Sequence, residues 1–309
     1  MHDHSHAHHG HHHPAPENFG RAFALVTALN VALIAGQVVY GLIAHSLALL
    51  ADAGHNFGDV VGLLLAWGAF AVARWKPSDY FTYQLRSASI LAAVANGVLL
   101  LVATVWIAWE ALHRFAQPQQ VASGTVIVLA VLGVAVNGLS AVILSRGRKA
   151  DLNMHGAWLH MVADAGVSVA VVAAGLGIWW TGWQWLDPAV SLAISAVILV
   201  GTWGLLRDSL RLALGAAPRD IDPVRVQAAL AALPGVAAVH DLHIWAMSTT
   251  ETALTCHLVT PAGHPGDGFL RAVAQAMQRD FGIGHTTVQV EFSAAAHLAG
   301  RDEAGCGKV

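Results

Sequence analysis

Six long apolar stretches separated by short polar joins fill the first two-thirds of the chain: residues 21–44, 47–73, 86–113, 121–145, 154–181 and 187–210. A helix that crosses the hydrocarbon core of a bilayer needs about 20 predominantly apolar residues, and every stretch reaches that length. Helix breakers sit at the joins, as in Lys76-Pro77-Ser78 and Asp187-Pro188. Glycines inside the stretches (Gly97, Gly133, Gly138, Gly166, Gly175) are expected to let neighbouring helices approach closely. The pattern predicts six transmembrane helices over residues 21–212. A soluble all-α core is a poor account of six such runs in succession.

After Ala213 the pattern changes. Residues 222–233 read as a short helix opened by Asp222-Pro223 and closed by Pro234-Gly235. Residues 236–247 and 251–260 read as strands, 268–281 as an amphipathic helix and 286–292 as a last strand. In the run Thr287 to Phe292 polar and apolar residues alternate with period two, the mark of a half-buried strand. The order αββαβ predicts a small α+β domain over 213–293, an open sheet with both helices on one face. A domain of about 80 residues is only marginally stable alone, so pairing with a second copy is expected. Residues 294–309 read as a tail.

Composition agrees with a chain solvated by lipid. It is 56% hydrophobic and 11% charged, against roughly 25% charged in soluble domains. A net charge of −3 excludes a basic nucleic-acid face. Cys256 and Cys306 make no disulfide framework and are expected to be reduced and cytosolic. The first twenty residues lack the basic and apolar regions of a signal peptide, so insertion is expected to rely on the spanning helices. Orientation follows from the basic residues of the short joins. Arg21, then Arg74, Lys76 and Arg86, then Arg146, Arg148 and Lys149, then Arg207 and Arg211 fall on one side, and Arg114 alone on the other. Both termini are therefore expected in the cytoplasm, with Trp179, Trp180, Trp183 and Trp185 as an aromatic belt on the opposite side. The compact joins point to a bacterial inner (plasma) membrane.

Ionisable groups inside spanning helices are costly and by default mark function. The second stretch holds Asp52, His55 and Asp59; the fifth holds His160 and Asp164. In both, a His precedes an Asp by four positions, which puts the two on one helix face. Two such faces opposed would gather two imidazoles and two carboxylates, a donor set that suits tetrahedral zinc. Imidazole favours zinc over manganese or magnesium, with Co2+, Cd2+, Ni2+ and Fe2+ also compatible. A single His or Asp could instead pair with Asn30, Asn96 or Asn137; the repeated spacing favours a metal site. Asp52 shares the face but reads as support rather than ligand. Because imidazole must be neutral and carboxylate ionised to bind, metal and protons compete at such a site, which suggests metal/proton antiport. The tract His2 to His13, with eight of the 19 histidines in the first 13 residues, reads as a disordered cytoplasmic metal-binding tail over 1–20. In the soluble domain His240, His243, Cys256, His257, His285 and Glu291 are candidate ligands, His243 and Cys256 being the weakest.

At these residues the chain resembles the cation diffusion facilitator family, in its zinc-transporting branch of Czc-type bacterial exporters and animal ZnT proteins. The resemblance rests on the run Ser46 to Asp59, on Phe81-Thr-Tyr-Gln-Leu-Arg86 leading to Ala95-Asn96-Gly97, on Trp158 to Asp164, and on His240-Asp-Leu-His-Ile-Trp245. It implies a homodimer of six-helix protomers with a cytoplasmic αββαβ, metallochaperone/ferredoxin-like domain, exporting metal from the cytosol against protons. It also implies that His55, Asp59, His160 and Asp164 form the transport site. His240, His257 and Glu291 match cytoplasmic metal positions, and His285 falls within one position of another. Three departures stand out: Asp79 without a His in the second join, Gly284 where many relatives have His, and Gln84 where the family often has Gly. Two rival functions remain, a membrane-tethered zinc sensor or chaperone and an intramembrane metalloenzyme. A sensor has no use for His160 and Asp164 at membrane depth, and the enzyme needs a motif such as His-Glu-x-x-His that the chain lacks.

Overall fold

The computed structural model describes residues 18–73, 75, 79–145 and 152–293. The His-rich tract to His13, the join residues Arg74, Lys76 to Ser78, Arg146, Arg148 and Lys149, and the tail from Ala294 with Cys306 lie outside the described residues. Six long helices come first: α1 (Asn18–Ile43), α2 (Leu47–Ala73), α3 (Ala88–Ala116), α4 (Ser123–Ser145), α5 (Leu152–Thr181) and α6 (Leu186–Ala213). Among the described residues, four helices are long and apolar enough to cross a membrane: α3, α4, α5 from Trp158 and α6. In α1 the described side chains form an apolar helix over Ala28–Ile43. The chain then forms α7 (Pro223–Ala231), β1 (Ala238–Ala246), β2 (Thr252–Val259), α8 (Gly266–Phe281) and β3 (His285–Glu291), which is the αββαβ order expected.

By compactness the chain falls into two units. One comprises Met1–Val60 and Val102–Leu199, the other Val61–Leu101 and Val200–Val309. The first is built around a core that includes Ala48, Leu49, Val126, Ala130, Val171 and Ile194. Small residues bring α4 and α5 together: a Cβ on Gly133 would lie 2.8 Å from Ser168 Oγ, and one on Gly175 would lie 2.8 Å from Ile127 Cγ1. Gly138 and Gly166, which the sequence also suggested as close-packing positions, face open space. The start of α2 is held by charge. Ser46 caps it, its Oγ accepting from Leu49 N at 3.2 Å. Asp187, at the start of α6, accepts from Ser46 Oγ at 2.5 Å, Leu47 N at 2.7 Å and Ala48 N at 3.3 Å. A carboxylate there satisfies donors that the helix cannot satisfy itself and meets the positive end of its dipole. Arg114 donates to the His45 carbonyl just before that cap and pairs with Glu110 at 3.2 Å.

In the second unit β1 pairs antiparallel with β2, and β2 runs parallel to β3. A parallel pair needs a crossover, and α8 supplies it. Leu254, Cys256 and Leu258 of β2 point to one face, where Val226 and Leu230 of α7 and Val273 and Met277 of α8 cover them. By strand alternation His257 points to the other face, with its β1 partner His240. The β1–β2 turn docks on the segment that opens α3. Arg86 Nη1 donates to Glu251 Oε2 at 2.8 Å, Ser87 Oγ to the Met247 carbonyl at 3.3 Å, and Thr249 N to Ser89 Oγ at 3.1 Å.

The same segment explains one of the departures. Gln84 has φ of 61°, in the left-handed region, and its N–H donates to the Phe81 carbonyl at 2.9 Å. An L-residue is disfavoured there by about 1–2 kcal/mol, whereas glycine adopts it freely. Gln84→Gly is therefore expected to raise stability by about 0.5–1 kcal/mol after allowing for glycine's greater entropy when unfolded. A thermal melt of the purified variant checks this, and an unchanged or lower melting temperature would contradict it.

Candidate metal centre

His55 and Asp59 lie one turn apart on α2, and His160 and Asp164 one turn apart on α5. The fold brings all four together. His160 Nε2 is 3.2 Å from Asp59 Oδ2 and 3.5 Å from Asp164 Oδ2; His55 Nε2 is 3.4 Å from Asp164 Oδ1, and its Nδ1 is 3.8 Å from Asp59 Oδ2. One donor atom each from His55, Asp59 and His160 falls within 4.8 Å of the others. The two imidazoles meet edge to face with centroids 5.9 Å apart. The Asp164 side chain is only 1% exposed, while those of His55, Asp59 and His160 are 24%, 36% and 40% exposed.

These contacts are poor hydrogen bonds, and some have the spacing of ligands around a shared ion. Neither Asp164 oxygen, nor Asp59 Oδ2, accepts a well-aligned hydrogen bond despite being buried. Metal–ligand bonds of about 2.0–2.1 Å in a tetrahedron place neighbouring ligand atoms about 3.3–3.4 Å apart. The 3.2 and 3.4 Å approaches between α2 and α5 are close to that spacing, the 3.8 Å approach of His55 Nδ1 to Asp59 Oδ2 is wider, and Asp164 turns a different oxygen to each imidazole. Two carboxylates would also balance the charge of a divalent ion, which removes most of the cost of burying it.

Asp52, which the sequence placed on the same face, does not reach this group. Its carboxylate is fully buried and accepts from Gln37 Nε2 at 2.6 Å, Ser168 Oγ at 3.2 Å and Asn56 Nδ2 at 3.4 Å. Gln37 is the residue that sequence reasoning missed here. An isolated buried Gln on an apolar helix was the available signal.

A second cluster forms on the open face of the sheet. His240 Nε2 lies 3.0 Å from Glu291 Oε2, and His257 Nδ1 lies 2.9 Å from Glu291 Oε1. The His240 and His257 rings meet edge to face at 5.1 Å. Donor atoms of these three residues also lie within 4.8 Å of one another. A bulge between His240 and His243, with Asp241 at φ of 52°, adds Asp241 to the edge of the group, 3.5 Å from His257 and 3.1 Å from His243. Burial acts to raise the Glu291 carboxyl, but the hydrogen bond from His240, the charges of His240 and His257 and a hydrogen bond from Gln289 hold it below the usual carboxylate range.

Two of the candidates lie elsewhere. His285 begins β3 opposite Ala253, six positions before Glu291, and its ring meets Tyr83 at 5.5 Å rather than joining the cluster. At about 3.3 Å per strand residue those six positions span the length of the sheet. Cys256 faces the helices on the reverse side of β2, where burial pushes its thiol up to about 12.

The two parts of this architecture match one protein class. Residues 23–212 match the family described as the cation efflux transmembrane domain. Residues 218–293 match the cation efflux protein cytoplasmic domain. The chain belongs to this cation efflux, or cation diffusion facilitator, family: it is an integral membrane transporter of metal cations, not an enzyme. It is similar to the metal cation efflux system protein CzcD of Cupriavidus metallidurans, with 36% identity over 91% of this chain and 89% of that one. It is also 34% identical to the zinc transporter ZitB of Escherichia coli, over 91% of this chain and 90% of that one. The cadmium, cobalt and zinc/H(+)-K(+) antiporter of Bacillus velezensis is 34% identical over 84% of this chain and 85% of that one.

Proposed function

We propose that the chain exports zinc from the cytosol in exchange for protons, carrying the ion in a tetrahedral site made by His55, Asp59, His160 and Asp164. The observation that carries this reading is the approach of donor atoms across α2 and α5, 3.2 Å for His160 and Asp59 and 3.4 Å for His55 and Asp164, together with the buried carboxylate oxygens that lack good hydrogen bonds. The naming of relatives as zinc transporters, and of one as an antiporter of cadmium, cobalt and zinc, supports the choice of ion and of exchange. Nothing in the donor set is a reacting nucleophile; its chemistry is exchange. A proton arriving on either imidazole or carboxylate removes a ligand and favours release of the metal, and a metal arriving at the site displaces the proton.

In this reading all six long helices cross the bilayer, including α1 and α2, with both termini and the 213–293 domain in the cytoplasm. The bilayer is the bacterial inner membrane, and the His-rich tail captures metal on the loading side. The His240, His257 and Glu291 cluster is a second, cytoplasmic metal site, and the sheet domain pairs two protomers. Unperturbed imidazole titrates near about 6.5, so the competition falls in the working range of a cell. Reconstituted in vesicles, the protein is expected to move zinc at a rate that rises with an opposing proton gradient and collapses when the gradient is dissipated. Zinc flux indifferent to the gradient would refute the exchange. Competition by cadmium, cobalt, nickel, iron and manganese in the same vesicles ranks the ions; manganese outcompeting zinc would overturn the ion assignment.

A further inference from the structure

Asp52 is a buried carboxylate that the exchange chemistry does not use. It stands three positions before His55 on α2, so it lies one turn along the same face. Its partner Ser168 stands four positions after Asp164 on α5, again one turn along the same face. The Asp52–Ser168 hydrogen bond of 3.2 Å therefore spans α2 and α5 one turn from the 3.4 Å approach of His55 and Asp164. Gln37 ties the same carboxylate oxygen to α1 at 2.6 Å. Asp52, Gln37 and Ser168 are all 0% exposed. On α4, Gly133 leaves the space that Ser168 Oγ and Gln37 Nε2 occupy, since a Cβ there would lie 2.8 Å and 3.4 Å from them.

What makes this network consequential is the way the helices are otherwise held. Among the described residues, close backbone packing joins α4 to α5 and α1 to α4, and side chains of α2 reach across to α5. Among the described residues Asp52 is hydrogen-bonded to both neighbours of α2, to α1 through Gln37 and to α5 through Ser168, so its carboxylate helps to set the spacing between the two ligand-bearing helices. We propose that Asp52 is a positioning residue for the transport site: through Gln37 and Ser168 it sets the α2–α5 separation, and so the size of the cation that the four ligands close around. The inference rests on the reading of His55, Asp59, His160 and Asp164 as the transport ligands. Groups that hold metal ligands in place typically change metal affinity by about 10–100-fold when removed.

Zinc and cadmium transport by the full-length protein in vesicles tests it. Asp52→Ala is expected to raise the zinc KM about tenfold and to shift the zinc-over-cadmium preference about tenfold towards the larger ion, with a smaller change in maximal rate. Asp52→Asn, which still offers an oxygen to Gln37, should recover part of both. Should Asp52→Ala fail to accumulate, Ser168→Ala carries the test, with a shift of about threefold in the same direction expected. Unchanged KM and preference, or an equal loss of maximal rate for both metals at unchanged KM, would overturn the assignment. A separate result would overturn the underlying site instead: full transport by His160→Ala.

Discussion

Asp164→Ala is expected to abolish metal efflux. Asp164 is the most buried of the four candidate ligands, and its two oxygens face both imidazoles, at 3.4 Å from His55 and 3.5 Å from His160. Removing it deletes a donor and one of the two negative charges that balance a divalent cation, so the remaining three groups hold a charge that burial makes expensive. Loss of a supporting group near a metal costs about 10–100-fold, and loss of a ligand itself should exceed about 100-fold. The measurement is zinc flux in vesicles at matched protein density. Because Asp164 makes no good hydrogen bond in the fold, its removal should leave thermal stability nearly intact. Activity lost together with folding would point to a structural role. Retained flux would show that Asp164 is not a transport ligand.

The second large effect is on folding. Asp187→Ala is expected to lower stability by about 2–4 kcal/mol, because it strips three hydrogen bonds from one buried carboxylate and leaves the Leu47 and Ala48 N–H groups of α2 without it. Loss of a charge at the helix start adds to this. Asp187→Asn keeps one acceptor oxygen and should lose roughly half as much. Melting of the detergent-purified variants reads the difference; an alanine variant as stable as the parent would show that water or Ser46 replaces the carboxylate at little cost. The expectation concerns assembly and not ion choice, since Asp187 does not touch the four candidate ligands.

Much of this arrangement is legible in the local sequence pattern. Helical spacing is local, so two His-x3-Asp pairs could be read directly, and alternation in Thr287 to Phe292 located β3 to within a residue. Contacts between residues far apart in the chain carry no such local mark. Asp187 read only as a helix breaker's neighbour, yet its partners lie about 140 positions earlier. Asp52 read as a helix-face companion of His55, and only the fold supplies Gln37 and Ser168. His285, which the resemblance put near a cytoplasmic metal position, lies a strand's length from Glu291 once the backbone is extended. The departure at Gln84 had no meaning until its backbone angle was known. Among the described residues four helices meet the length and apolarity needed for a span, so the sixfold count still stands on the sequence pattern.

The docked β1–β2 turn has a consequence for how this chain can change over generations. Exposed turn tips ordinarily absorb added or deleted residues with little penalty. Here Met247, Thr249 and Glu251 each meet a fixed partner in the Arg86 to Ser89 segment, and the strands they join carry His240 and His257 towards their far end. One extra residue would move Glu251 off Arg86 or shift the strand pairing that sets His240 opposite His257. The length of this surface turn is therefore as constrained as a core position, although its side chains are free to touch water.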